Sequence, residues 1–231
     1  SCFGVPVIDC GDATGNGPIV LENVVLYKEA AAPDGEFLVL DNRAAAPHML
    51  DDVDFIGGNP ASQSLPVLVA GPRYGDTTMQ LNLDHVDFSG AEGRATRMRI
   101  KNLVDFEARD CVFAPAGGLN SERATALVKE TTVAPDAGSE LVFRDCSFES
   151  GTDWLFAQMG SAGYATPNLY KLYRPTFTGR CGGIAFSIAD SGAELEILGL
   201  DDSDQPIPGY WADMDGMMPG GDETLHYATL T

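Results

Sequence analysis

Basic residues are scarce in this chain: 14 Lys and Arg stand against 34 Asp and Glu, for a formal net charge of −20. That balance excludes nucleic acid and anionic membrane surfaces as partners, since both demand basic patches. No uninterrupted apolar run is long enough to span a bilayer, so no membrane insertion is expected. No signal peptide opens the sequence, and residue 1 is Ser, which reads as the start of a mature, trimmed or excised segment. Histidine is rare (His48, His85, His226), and the five Cys include no CxxC pair, which leaves a structural zinc site without support. Helical signals are few, whereas 26 Gly and 14 Pro in 231 residues suit a fold that turns a corner every few residues. The acidic surplus fits a protein of a salty medium, where screening weakens self-repulsion, or one that binds divalent cations. The expected location is therefore extracellular, on a cell surface or on a virion surface.

What the sequence does have is a repeat. "LDDVDFIG" at 50 returns as "LDHVDFSG" at 83, and five further copies follow the same outline: "LENVVL" at 21, "ARDCVF" at 108, "FRDCSF" at 143, "LYRPTF" at 172 and, most weakly, "LEILGL" at 195. Recurrence at this period marks a stack of similar units. The intervals vary from 23 to 35 residues, so loops of differing length separate the copies. The first column (Leu21, Leu50, Leu83, Ala108, Phe143, Leu172, Leu195) is preceded two residues earlier by Ile19, His48, Leu81, Phe106, Leu141, Tyr170 and Ala193, the period of a half-buried strand.

The alternation then slips by one. Val24, Val53, Val86, Cys111, Cys146 and Pro175 come three residues after the first column, and Leu26, Phe55, Phe88, Phe113, Phe148, Phe177 and Leu200 two residues later. A lost register implies a bend, and the residue at the slip is Asn23, Asp52, His85, Asp110 or Asp145. These residue types are the non-glycine ones most tolerant of positive φ, so the column predicts a corner. Gly or Pro follows each Phe and predicts a second corner, after which comes another short apolar run, as in "FLVL" at 37 and "VLVA" at 67.

Three short strands and three corners per copy resemble the pectate-lyase-like, right-handed parallel β-helix superfamily, in which an apolar pair, a turn Asn and an inward Phe recur. The resemblance is one of architecture and covers residues 17 to 200; the motifs of a particular member are absent. It implies an all-β, single-stranded right-handed parallel β-helix of about seven irregular coils. Residues 1–16 would form a Gly-rich lead-in, 17–200 the β-helix, and 201–231 a non-repetitive cap or oligomer contact carrying Trp211, Met214, Met217 and Met218. Its Phe column would stack at strand spacing, about 4.8 Å. A β-sandwich or jelly roll is the competing architecture. Cys2 and Cys10 could close a disulfide across the lead-in, while Cys111 and Cys146 read as small core residues on adjacent copies.

Candidate site residues lie in the outward columns and the long loops. Asp51, Asp54, Asp84 and Asp87 would share one edge, with Glu22 beyond them, and calcium would relieve their repulsion. The competing reading is a solvated acidic edge. As a catalytic set, Asp84 and Asp87 would serve as paired carboxylates of a glycoside hydrolase. Arg109 and Arg144, with Arg99 and Lys101 nearby, would stabilise charge in a polysaccharide lyase; the alternative is a surface salt-bridge ladder. Trp154, Tyr164 and Tyr173 are the aromatics placed to stack on sugar rings. The expected function is a non-catalytic surface-exposed or secreted module that binds or displays against polysaccharide, needing no cofactor beyond calcium. A polysaccharide lyase or hydrolase is one alternative, and a structural spike or decoration subunit, homo-oligomeric through the C-terminal segment, is another.

Overall fold

The computed structural model describes residues 7–9, 17–31, 35–40, 46–60, 66–71, 79–92, 96–101, 104–114, 126–131, 140–150, 156–160, 168–179, 184–187, 195–200, 206–214 and 225–228. Among these residues every regular element is a strand and none is a helix. In chain order they are β1 (Ile8–Asp9), β2 (Val20–Lys28), β3 (Leu38–Leu40), β4 (His48–Gly57), β5 (Leu68–Ala70), β6 (Met79–Asp87) and β7 (Met98–Lys101). There follow β8 (Val104–Arg109), β9 (Val112–Phe113), β10 (Leu127–Thr131), β11 (Glu140–Arg144), β12 (Ser147–Ser150) and β13 (Phe156–Gly160). The last are β14 (Asn168–Tyr173), β15 (Thr176–Gly179), β16 (Ile184–Ser187), β17 (Leu195–Leu200), β18 (Pro206–Met214) and β19 (Leu225–Ala228).

The chain alternates between two large sheets. One runs β1-β3-β5-β7-β10-β13, all parallel; the other takes the motif strands, with β2 on β4, β4 on β6, β6 on β8, then β11, β14 and β17. The pairing is in register with the repeat: Leu21 faces Leu50, Leu50 faces Leu83, Leu83 faces Ala108, Ala108 faces Phe143 and Phe143 faces Leu172. The structure shows the all-β chain with parallel sheets that the sequence predicts. The seventh copy is the exception. Leu172 pairs with Gly199 and Asn168 with Leu195, so the sequence alignment there is four residues out.

The corner column is as the residue types predict. Asn23, Asp52, His85, Asp110 and Asp145 have φ between 52° and 54°, and Arg174 in the sixth copy joins them at 48°. In the early copies one strand bends through the corner. In the fourth, fifth and sixth copies it breaks in two, and the second halves pair among themselves as β9-β12-β15. Because the bend needs left-handed backbone, Asp110→Asn is expected to be tolerated, while Asp110→Val should cost about 1–2 kcal/mol, the penalty of that conformation for an L-residue. Urea unfolding of both variants checks this, and equal stability would contradict it.

Inward columns build the core. Phe55, Phe88, Phe113 and Phe148 are fully buried, with successive centroids 5.0, 5.2 and 5.4 Å apart and rings within 9–19° of parallel. Phe37 and Phe143 meet this stack edge-on. From the other sheet Leu38, Leu40, Leu68, Ala70, Met98, Ile100 and Leu127 close the same interior. Cys111 and Cys146 sit in it as free thiols, and burial among apolar neighbours pushes the Cys111 thiol up. Cys2, Cys10 and Cys181 lie outside the described residues.

Two cations are buried at the second corner. Lys28 donates from Nζ to the Gly35 carbonyl at 2.7 Å, and Arg97 donates from Nη1 to the carbonyls of Phe88 at 3.1 Å and Ala91 at 2.9 Å. A turn tucked against the core leaves carbonyls that water cannot reach, and these side chains satisfy them. At the far end β18 runs antiparallel to β17 and adds the last strand of that sheet. It carries Pro206 and Pro208, which lack the N–H that a further strand would need.

Candidate functional site

The strands that lead into the first corner present their alternate residues outward, and the register lines these up in rows. One row reads Glu22, Asp51, Asp84, Arg109, Arg144, Tyr173; the next reads Val20, Met49, Asn82, Glu107, Val142, Lys171. Gln80 pairs with Asp105 in a third, and the backbone N–H of Glu140 donates to Asp105 Oδ1 at 3.3 Å. Gln80, Asn82, Asp105, Glu107, Glu140 and Val142 line a groove of about 350 Å³ across these strands. A smaller hollow continues it past Asn82 and Glu107 to Met49, Asp84 and Arg109.

The cations along this face are engaged. Arg144 Nε donates to Glu107 Oε1 at 2.9 Å, with its guanidinium 3.9 Å from the Tyr173 ring centre, and Lys171 Nζ donates to Glu140 Oε1 at 2.9 Å. Arg109 reaches Glu107 more loosely at 3.4 Å. Arg109 and Arg144 are thus neighbours that share one carboxylate, a ladder of partly exposed pairs of the kind individually worth little. Asp105 makes no ion pair among the described residues. The side-chain amides of Gln80 and Asn82 make no hydrogen bond there and face the groove.

The four aspartates divide at the corner. Asp51 and Asp84 face each other before it, and with His85 their ligand atoms lie within 4.8 Å of one another. Asp84 Oδ1 is 2.9 Å from His85 Nδ1 but poorly aligned for a hydrogen bond, and that shielded oxygen has no hydrogen-bond partner among the described residues. Asp54 and Asp87 pair beyond the corner, where Asp87 Oδ1 accepts from the Ser89 N–H at 2.7 Å. Asp84 and Asp87, the candidate catalytic pair, therefore sit on opposite sides of a bend.

Tyr173 is placed outward but is only 4% exposed, buried with Val142 and covered by Arg144, so its ring is no open platform. Trp154 and Tyr164 lie outside the described residues. Sequence reasoning passed over Gln80, Asn82, Asp105, Glu107 and Glu140. The signal was present: period-two alternation into an inward first column makes the residues one and three before it point outward.

On the corner column, Arg174 pairs with Asp145, with Nε donating to Oδ1 at 2.6 Å. That hydrogen bond holds the Asp145 carboxyl below the usual carboxylate range. A depressed folded value contributes stability above the ordinary Asp pKa of about 3.9, lost as pH falls through the folded value. The stability difference between the native chain and Arg174→Leu should accordingly shrink in acid, as pH-dependent urea titrations would show. A difference that grows on acidification would contradict the assignment.

No family model and no solved structure matches the chain. A stretch of 72 residues, 31% of the chain, is 32% identical to the translation factor GUF1 homolog, mitochondrial, of Caenorhabditis briggsae. The match covers 11% of that relative's length. So short a share leaves the relative's activity with the relative.

Proposed function

We propose that the chain winds as a single-stranded right-handed parallel β-helix of about seven irregular coils, and that it is a non-catalytic module of a secreted or surface-exposed protein that binds polysaccharide. The observation that carries this reading is the groove lined by Gln80, Asn82, Asp105 and Glu107, whose amides and carboxylates have hydrogen-bonding capacity to spare. The groove crosses successive strands, so a glycan lying along it meets a fresh row of polar groups about every 4.8 Å, close to the length of one sugar in an extended chain. Hydroxyls are matched by such acceptors and amide donors. The enzymatic alternative asks for Asp84 and Asp87 on one substrate and for free cations at Arg109 and Arg144, whereas the corner parts the two aspartates, Arg144 is held by Glu107 and Tyr173, and Arg109 leans on Glu107 at 3.4 Å. A glycan array run beside unsaturated-product and reducing-end assays tests the reading: binding without either product is expected, and release of a product would replace it with a lyase or hydrolase.

An assembly role draws on a different feature. Val25, Tyr27 and Ile56 are 56%, 60% and 41% exposed side by side near the first copy, an apolar patch suited to a spike or decoration subunit. Calcium, in turn, narrows from four carboxylates to the oxygens of Asp51 and Asp84, with the His85 imidazole beside them a nitrogen that calcium does not favour. Folded-state binding there would raise the melting temperature by mass action. A larger rise with calcium than with magnesium at matched ionic strength is expected, because calcium accepts looser oxygen coordination. Equal responses would reduce the cluster to a solvated acidic edge.

A further inference from the structure

We infer that the polysaccharide taken by the groove bears amines, as a polymer of glucosamine with free amino groups does. This rests on the glycan-binding reading above and adds the ligand's charge. Asp105 lies in the middle of the lining, between Gln80 and Glu140, and is the one carboxylate among Asp105, Glu107 and Glu140 without a cationic partner among the described residues. One of its oxygens accepts a backbone N–H, which fixes the carboxylate's direction. The remaining acceptor capacity fits an ammonium group, which offers three donors. Asn82 and Gln80 flank it with carbonyl acceptors and amide donors for the neighbouring hydroxyls. Arg144 is committed to Glu107 and the Tyr173 ring and Lys171 to Glu140, while Arg109, in the adjoining hollow, is held to Glu107 at 3.4 Å. A uronate polymer would therefore meet carboxylates rather than open guanidinium groups. The field of a chain carrying −20 also repels polyanions and draws polycations.

The test is calorimetric titration of the full chain with glucosamine oligomers, their N-acetylated counterparts and galacturonate oligomers of the same length. Two variants of equal charge change accompany it: Asp105→Asn in the groove, and Glu29→Gln at an exposed position just after β2. Asn keeps the acceptor for the Glu140 N–H, so the fold is preserved, which melting curves verify. The free-amine oligomer should bind best, and Asp105→Asn should weaken it roughly ten- to a hundredfold, the worth of a charged hydrogen bond, while Glu29→Gln leaves it unchanged. Equal binding of the N-acetylated oligomer would overturn the amine assignment and leave the glycan reading standing. Equal losses in both variants would mean adsorption to a polyanion, which also overturns it. Binding of no oligomer in the panel, together with an empty glycan array, would remove both readings.

Discussion

Phe113→Ala should destabilise the chain by about 3–5 kcal/mol, the range for removing a buried aromatic ring from a core. Phe113 is fully buried between Phe88 at 5.2 Å and Phe148 at 5.4 Å, with the edge of Phe143 at 5.7 Å. Removing it leaves a hole in the middle of the aromatic column, where rings above and below are held at strand spacing by their own backbones and cannot collapse inward. Each lost ring contact adds about 0.5–1.5 kcal/mol beyond the area term. Val112, its neighbour in β9, faces outward and is half-buried, so Val112→Ala should cost much less. Urea titration of both variants provides the comparison. Similar, small losses would mean that the inward and outward columns are misassigned.

The second large effect is expected at Gly57, where the chain turns after Phe55. Its φ is 81°, and a Cβ there would overlap the Lys28 carbonyl oxygen and press on the Tyr27 ring at 3.2 Å. That carbonyl accepts the Gly58 N–H at 2.7 Å, so it cannot swing away without losing one of the bonds that join the first two copies. Gly57→Ala therefore combines backbone strain of about 1–3 kcal/mol with overpacking of about 1–3 kcal/mol. The overlap is with backbone, which relaxes poorly, so the two terms should both appear. Thermal melts resolve such a loss, and a variant as stable as the native chain would show that this turn is looser than its geometry implies.

How much of this was legible in the sequence depends on which residues were constrained by local chemistry. The corners were legible because Asn23, Asp52, His85, Asp110 and Asp145 are residue types that accept positive φ. Arg174 was not, since arginine has no such preference; its corner is dictated by pairing with the copy before it and supported by the ion pair to Asp145. The Phe column was legible from spacing alone. "LEILGL" misled because its apolar residues satisfy a period of two in more than one register and no corner residue fixes the frame, so Gly199 rather than Leu195 ends up against Leu172.

The groove was less visible for a different reason. Outward positions carry no apolar periodicity, so Gln80, Asn82, Asp105, Glu107 and Glu140 gain meaning only once register brings three copies together. The division of the aspartates is equally a matter of geometry. Four carboxylates at matching positions looked like one edge, but a left-handed residue between positions two and five of the motif turns Asp54 and Asp87 away from Asp51 and Asp84. Lys28 and Arg97 run against the general rule that charge stays outside, because turn carbonyls at the core edge require donors.

The most direct test of the binding groove is an NMR titration of the isotope-labelled full chain with a short glucosamine oligomer, following the side-chain amide signals of Gln80 and Asn82. These two amides should shift together and saturably, along with the backbone signals of Asp105, Glu107 and Glu140, which are distant in sequence and adjacent only across the strands. Shifts confined to other regions, or signals of Gln80 and Asn82 that stay fixed while the oligomer binds, would contradict the groove as the site.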